Sequence, residues 1–172
     1  MSLLAVTVLG RDRPGIIAEA TGALTELGGN LEDSSMTLLR GHFAMTLVVR
    51  TDAPADQVRA ALDPGFSGDG LAVFVIELDA SSPSGAQGSS YVLSVHGADR
   101  VGIVAAITAV LAEYGGNVTD LTTRLAGALY ILVAEVELPT EADAAALANR
   151  LTAVARELGV DATLRPAETD VL

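Results

Sequence analysis

The sequence contains no cysteine, lysine or tryptophan, and its only aromatic residues are three Phe and three Tyr among 172 residues. The absence of cysteine excludes disulfides and thiolate-ligated metal sites. Because aromatic residues are so few, Val, Leu, Ile and Ala must form most of the core, which suits a sheet covered by helices. No apolar run of the sequence approaches the roughly 20 residues that a membrane-spanning helix needs.

Positive charge is also scarce, since all ten basic residues are Arg and they face 22 acidic residues, for a net charge of −12. Such a charge repels phosphate backbones, so we expect no direct binding to nucleic acid. The two histidines, His42 and His96, stand alone, and we interpret both as structural or solvated. The first residues lack a basic leader and have the pattern of a strand, so we expect a cytoplasmic protein with no membrane contact.

One segment of the sequence occurs twice. Residues 10–33 and 97–120 share 13 identities in 24 positions at a constant offset of 87 (97 − 10). Each copy opens with a glycine-flanked turn and continues to a Gly-Gly-Asn triplet. The repeat predicts two domains of about 80 residues, a size at which a domain gains from docking on a partner. We therefore expect the two domains to fold alike and to pack together.

Hydrophobic periodicity predicts the order βαββαβ in each copy. In the first copy we expect strands at 3–9, 30–40, 43–49 and 71–78, a helix that Pro14 and Gly15 open and Gly28 ends, and a helix from Pro54 to Leu62 followed by a loop beginning at Pro64. In the second copy we expect strands at 91–97, 117–126, 128–138 and 160–164, a helix at 103–114, and a helix through Leu158 that begins at a capping box of Thr140 and Asp143. The order predicts an α+β fold of two ferredoxin-like units, each an antiparallel sheet with helices on one face.

Composition places the domain boundaries. We expect a first domain at 1–80, a linker rich in Ser, Gly and Pro at 81–88, a second domain at 89–167, and a tail at 168–172.

The chemistry of the repeated turn suits a free amino acid. The start of a helix offers unpaired N–H groups and partial positive charge to a carboxylate. Asp12 and Asp99 can accept hydrogen bonds from an ammonium group, and glycine lets a ligand approach the backbone. Structural alternatives remain open at this point. In one alternative the sole role of Asp12 is to cap the helix, and in another the sole role of Asn30 is to shape the turn.

The turn Asp12-Arg-Pro-Gly-Ile-Ile-Ala18, followed by the pattern L-x-E-L-G-G-N-L-x-D at 24–33, resembles the ACT domain, a module that senses small molecules. Two such units with nothing else attached resemble the glycine-cleavage-system transcriptional repressor family. The resemblance implies ligand contacts from the loop after the first strand and from the Asn that opens the second strand, where two domains meet. The residues it implies are Gly10, Asp12, Gly15 and Asn30, together with Gly97, Asp99, Gly102 and Asn117. Gly10 and Gly97 stand where the serine-sensing version of the motif has His, Asp12 and Asp99 stand where it has Asn, and Val101 replaces the usual proline.

The resemblance implies a regulatory protein without catalytic activity or cofactor, which binds a small amino acid such as glycine and signals to a protein partner. A homodimer is left open. The sequence offers no nucleophile paired with a base, no metal cluster and no phosphate loop. Two alternatives remain: an assembly protein whose ACT units bind no ligand, and a non-catalytic relative of the regulatory domain of formyltetrahydrofolate deformylases.

Overall fold

The structure is a computed structural model that describes residues 2–66, 68, 70–79 and 88–167. The chain divides into two compact units, Met1–Ser82 and Pro83–Leu172. Residues 81–87 of the expected linker and the expected tail at 168–172 lie outside the described residues, while Gly88 begins a strand of the second unit.

Each unit has the predicted order βαββαβ. The first unit contains β1 (Ser2–Arg11), α1 (Ile16–Glu26), β2 (Asn30–Leu39), β3 (His42–Thr51), α2 (Ala55–Phe66) and β4 (Leu71–Leu78). The second contains β5 (Gly88–Ala98), α3 (Ile103–Glu113), β6 (Asn117–Ala126), β7 (Leu129–Pro139), α4 (Ala144–Glu157) and β8 (Val160–Pro166).

Each unit forms one four-stranded sheet, with strand order β2-β3-β1-β4 in the first and β6-β7-β5-β8 in the second. All paired strands are antiparallel. Side chains alternate between the faces of a strand, so Leu4, Val6 and Val8 of β1 are buried in the core that also contains Ile16 and Leu24 of α1. These features confirm the predicted ferredoxin-like α+β fold.

Glycine pairs end the first helix of each unit, as predicted. Gly28 has a φ of 66°, and its N–H donates to the Thr25 carbonyl at 2.9 Å while the Gly29 N–H donates to the Leu24 carbonyl at 2.8 Å. These two bonds are those of a Schellman motif, in which glycine takes the left-handed conformation after the last helical turn. Gly115 repeats the conformation in the second unit with a φ of 71°.

The prediction that the second helix of the first unit ends before Pro64 is wrong. Helix α2 continues through Pro64 to Phe66, which is 1% exposed. Val58, Leu62 and Phe66 recur every four residues, so all three lie on one helix face and pack into the core. Burial of the Phe66 ring in the core favours one more helical turn despite the proline.

The prediction of a capping box that begins at Thr140 is wrong, because the N-cap of α4 lies three residues later (143 − 140). Asp143 is the N-cap of α4, and its carboxylate accepts a hydrogen bond from the Ala146 N–H at 2.9 Å. We expect Asp143→Ala to lower the free energy of unfolding of the second unit by about 0.5–2 kcal/mol, whereas Asp143→Ser keeps a capping oxygen and should stay close to the parent. Urea unfolding followed by circular dichroism measures both, and equal loss in the two variants would show that the cap is not the cause.

Candidate ligand-binding turns

The turn between the first strand and the first helix has the same conformation in both units. Gly15 is the N-cap of α1 with a φ of 94°, and Gly102 is the N-cap of α3 with a φ of 95°. This left-handed conformation strains any residue with a Cβ, which explains the glycine at both positions. Neither helix start has a side-chain cap, so the first N–H groups of α1 and α3 are left to solvent or to a ligand.

The structure corrects the expected start of the first helix. Pro14 lies in the turn before Gly15 and outside α1. Asp12 is three residues before the N-cap; its backbone N–H donates to the Gly41 carbonyl at 3.1 Å, and its side chain does not cap the helix. The capping alternative therefore fails for Asp12, and it fails likewise for Asp99, since Gly102 caps α3. Both aspartates are exposed, with their carboxylates accessible to a ligand.

Gly10 and Gly97 have a packing role that needs no ligand. A Cβ added to Gly10 would stand 2.5 Å from the Gly70 carbonyl oxygen, and one added to Gly97 would stand 2.8 Å from Cγ1 of Val160. In each unit the last strand crosses close to this glycine, because Gly10 pairs with Leu71 and Gly97 with Val160. Close strand packing therefore explains both glycines.

Asn30 and Asn117 lie far from the turn of their own unit. In β3, Asn30 is opposite Arg50 while Gly10 is opposite Phe43, seven residues away along the same strand (50 − 43). At about 3.3 Å per residue this separation is about 23 Å. Asn117 and Gly97 are separated in the same way along β7. One unit therefore brings together Gly10, Asp12 and Gly15 but does not bring Asn30 to them.

A cavity of about 240 Å³ lies beside Asn30, between the end of α1 and the start of β2. It is lined by Thr21, Leu24, Thr25, Gly29, Asn30, Leu31 and Val49. The cavity is smaller than the roughly 300–1,000 Å³ of typical drug-sized sites, so it fits only a small molecule. Thr21 lines this cavity but is not among the residues predicted from the sequence. Its repetition as Thr108 at the offset of 87 is the sequence feature that distinguishes it.

The two asparagines have different electrostatic surroundings. In the first unit Arg50, opposite Asn30, forms an ion pair with Glu32, and the hydrogen bonds from the guanidinium to this carboxylate raise the pKa of Arg50. In the second unit Glu137 is opposite Asn117, and Thr119 stands where the repeat has Glu32. Glu32 in β2 and Thr119 in β6 each have no partner residue in the neighbouring strand, because the pairing register shifts at that position. The second unit therefore has a carboxylate opposite its Asn, where the first unit has the guanidinium of Arg50.

An ion pair spans the turn of the first unit. Arg13 donates to both carboxylate oxygens of Glu19, at 2.8 and 2.7 Å, and to the Gly65 carbonyl at 3.0 Å. The hydrogen bonds from Arg13 are the main reason that the pKa of Glu19 lies below its usual range. Glu19 therefore stays ionised at neutral pH and holds the turn, the start of α1 and the end of α2 together.

No group of three or more His, Asp or Glu side chains among the described residues is placed to hold a metal ion. No helix of the described residues is both long and apolar enough to cross a bilayer.

Comparison with known proteins places the repeat in a family. The family model described as "ACT domain" matches residues 2–66 and 90–165. A UPF0237 protein of Methanopyrus kandleri is 40% identical over 79 residues, which are 44% of this chain and 86% of that protein. The glycine cleavage system transcriptional repressor of Escherichia coli is 24% identical over 167 residues, which are 94% of this chain and 88% of the repressor.

Two solved structures superpose on nearly the whole chain. An unknown protein from Galdieria sulphuraria superposes with a TM-score of 0.83 at 31% identity, covering 96% of this chain and 98% of that one. A putative glycine cleavage system transcriptional repressor superposes with a TM-score of 0.70 at 20% identity, covering 95% of this chain and 96% of that one, which shows a shared fold. The matches confirm the predicted tandem ACT arrangement and support a regulatory role in amino-acid sensing.

Proposed function

Because the chain belongs to the ACT-domain family, with one ACT domain in each unit, we propose that it is a non-catalytic cytoplasmic regulator that senses a small free amino acid. The observation that carries the proposal is the turn, which is present twice. In each unit an uncapped helix start and an exposed Asp carboxylate lie on the same short turn. The first attracts a carboxylate and the second an ammonium group, and a free amino acid carries both.

Glycine is the first candidate ligand. The E. coli relative that spans most of this chain is a repressor of the glycine cleavage system. Both turns carry glycine at the N-cap, so there is no side chain to hinder a small ligand at the backbone. Each unit places its own Asn about 23 Å from its turn by the spacing of strand residues, so the turn and the Asn of one unit do not contact the same small ligand.

We propose that the signal passes to a protein partner and reaches transcription only indirectly. The net charge of −12 opposes association with a nucleic-acid backbone. A protein surface carries no such uniform negative charge, so the same acidic balance leaves protein partners accessible.

A thermal-shift screen of the twenty amino acids tests the proposal. A ligand that binds only the folded protein stabilises it by about 2.7 kcal/mol at one hundred times its Kd. For domains of 60–100 residues, about 1 kcal/mol corresponds to a shift in Tm of roughly 4–8 °C. We therefore expect glycine, or another small amino acid, to raise the Tm by about 10 °C or more at saturation.

Two glycine analogues serve as controls. N-Acetylglycine lacks the ammonium charge and glycinamide lacks the carboxylate, so each should shift the Tm much less than glycine. If no amino acid shifts the Tm, the chain is an assembly protein whose ACT domains bind no ligand. Equal shifts by glycine and both analogues would mean that the turn does not recognise the two charges.

A further inference from the structure

The Arg13–Glu19 pair of the first unit is a complete carboxylate-binding site. The guanidinium donates two hydrogen bonds to the two oxygens of one carboxylate, the bidentate arrangement that Arg forms with carboxylates in general. The third contact, to the Gly65 carbonyl, fixes the guanidinium against the end of α2. The carboxylate comes from the chain itself, so this site is already occupied.

The second unit has the same arginine without the carboxylate. Arg100 corresponds to Arg13 at the offset of 87, but Ala106 stands at the position of Glu19. The Arg100 side chain lies against the end of α4, where a Cβ added to Gly159 would be 3.4 Å from its Nε and 3.6 Å from its Cζ. No described residue forms a hydrogen bond or ion pair with Arg100.

The space beside the N-cap glycine differs between the two units. A Cβ added to Gly15 would be 3.5 Å from Oε1 of Glu19 and 3.9 Å from Nη1 of Arg13. A Cβ added to Gly102, whose backbone has the same conformation, would meet no atom within 4 Å. Neither a carboxylate nor the Arg100 guanidinium therefore lies at this point in the second unit, and Arg100 lies against Gly159 instead.

We propose that the two ACT domains are unequal, with Arg100 of the second unit binding the carboxylate of a free small molecule at the position that Glu19 fills in the first unit. The identity of that molecule as the sensed amino acid rests on the proposed function, whereas the carboxylate site on Arg100 does not. A ligand of the first unit must displace an intramolecular carboxylate from Arg13. Affinity is therefore higher in the second unit.

Acetate, the simplest carboxylate, tests the site without assuming an amino-acid ligand. We expect sodium acetate to shift the NMR resonance of the Arg100 Nε–H group at a concentration at least tenfold lower than that of Arg150, an exposed arginine of α4 in the same spectrum. Arg13 should not respond in the parent protein. A response of Arg100 no stronger than that of Arg150 would overturn the proposal.

The residue that differs between the two units, Glu19 in the first and Ala106 in the second, gives matched variants. Ala106→Glu supplies the second unit with its own carboxylate and should abolish the acetate response of Arg100, whereas Ala106→Gln, which lacks the charge, should keep it. Melting curves of the variants establish that each is folded, and an unchanged Arg100 response in Ala106→Glu would contradict the proposal.

Glycine titrations of the same proteins separate this proposal from the proposed function. If glycine binds the parent, Ala106→Glu should weaken its affinity by roughly ten- to a hundredfold, the loss expected for one charged hydrogen-bonding contact. If acetate behaves as expected but no amino acid binds, the site on Arg100 stands and amino-acid sensing fails.

Discussion

Replacement of Gly10 by alanine is expected to destabilise the first unit strongly, because among the described glycines an added Cβ would make its shortest contact here. The new Cβ would lie 2.5 Å from the Gly70 carbonyl oxygen and 2.9 Å from Cα of Leu71, and both are backbone atoms of the neighbouring chain segment. Backbone atoms cannot rotate away, so β1 and β4 must separate. We expect a loss of about 3 kcal/mol in the free energy of unfolding, at the upper end of the usual range for overpacking.

Gly22→Ala is the matched control in the same unit. Gly22 is exposed within α1, and a Cβ added there would meet no atom within 4 Å. Alanine in place of glycine inside a helix should stabilise the unit by about 0.5–1 kcal/mol. Urea unfolding of both variants gives the comparison. A Gly10→Ala protein as stable as the parent would show that close strand packing does not explain this glycine.

Most of the fold could be predicted from the sequence because its signals are local. The Gly-Gly pairs at 28–29 and 115–116 end helices through hydrogen bonds within six residues, and the alternation in β3 reports burial of one sheet face. The error at the end of α2 has a tertiary cause. Phe66 extends α2 through Pro64 because its ring is buried in the core, and periodicity alone does not measure that burial.

The candidate site could be predicted only in part, because the sequence gives order along the chain and not distance across the sheet. The shared turn can be predicted, since Asp12 and Gly15 are neighbours in sequence and in space. The resemblance implies a ligand contact at Gly10, but a glycine there is also required by the Gly70 carbonyl, which is 60 residues away (70 − 10). The position of Asn30 at the opposite end of the sheet follows from the register of β2 on β3, which periodicity alone does not give.

Replacement of Asp99 by asparagine is expected to weaken binding of the sensed amino acid with little change in stability. Asp99 is exposed and does not cap α3, so the substitution should alter the free energy of unfolding by no more than about 0.5 kcal/mol. Loss of a charged hydrogen bond to the ligand ammonium is worth about 1.5–3 kcal/mol. That loss is roughly ten- to a hundredfold in affinity, since about 1.4 kcal/mol is a factor of ten. Calorimetric titration of the folded variant with glycine measures it.

Asp12→Asn tests the same role in the first unit. Because Glu19 is already paired with Arg13, the first unit is the lower-affinity site, and the loss of affinity should be seen there. Combined with Glu19→Ala, which removes this intramolecular carboxylate, the affinity loss caused by Asp12→Asn should become larger. Glycinamide separates the two charges, because it keeps the ammonium group and lacks the carboxylate. Its weaker binding should still decrease on Asp99→Asn but should not change on Ala106→Glu. If Asp99→Asn and Asp12→Asn both bind every amino acid as the parent does, neither aspartate contacts the ligand, and the ammonium group is bound elsewhere.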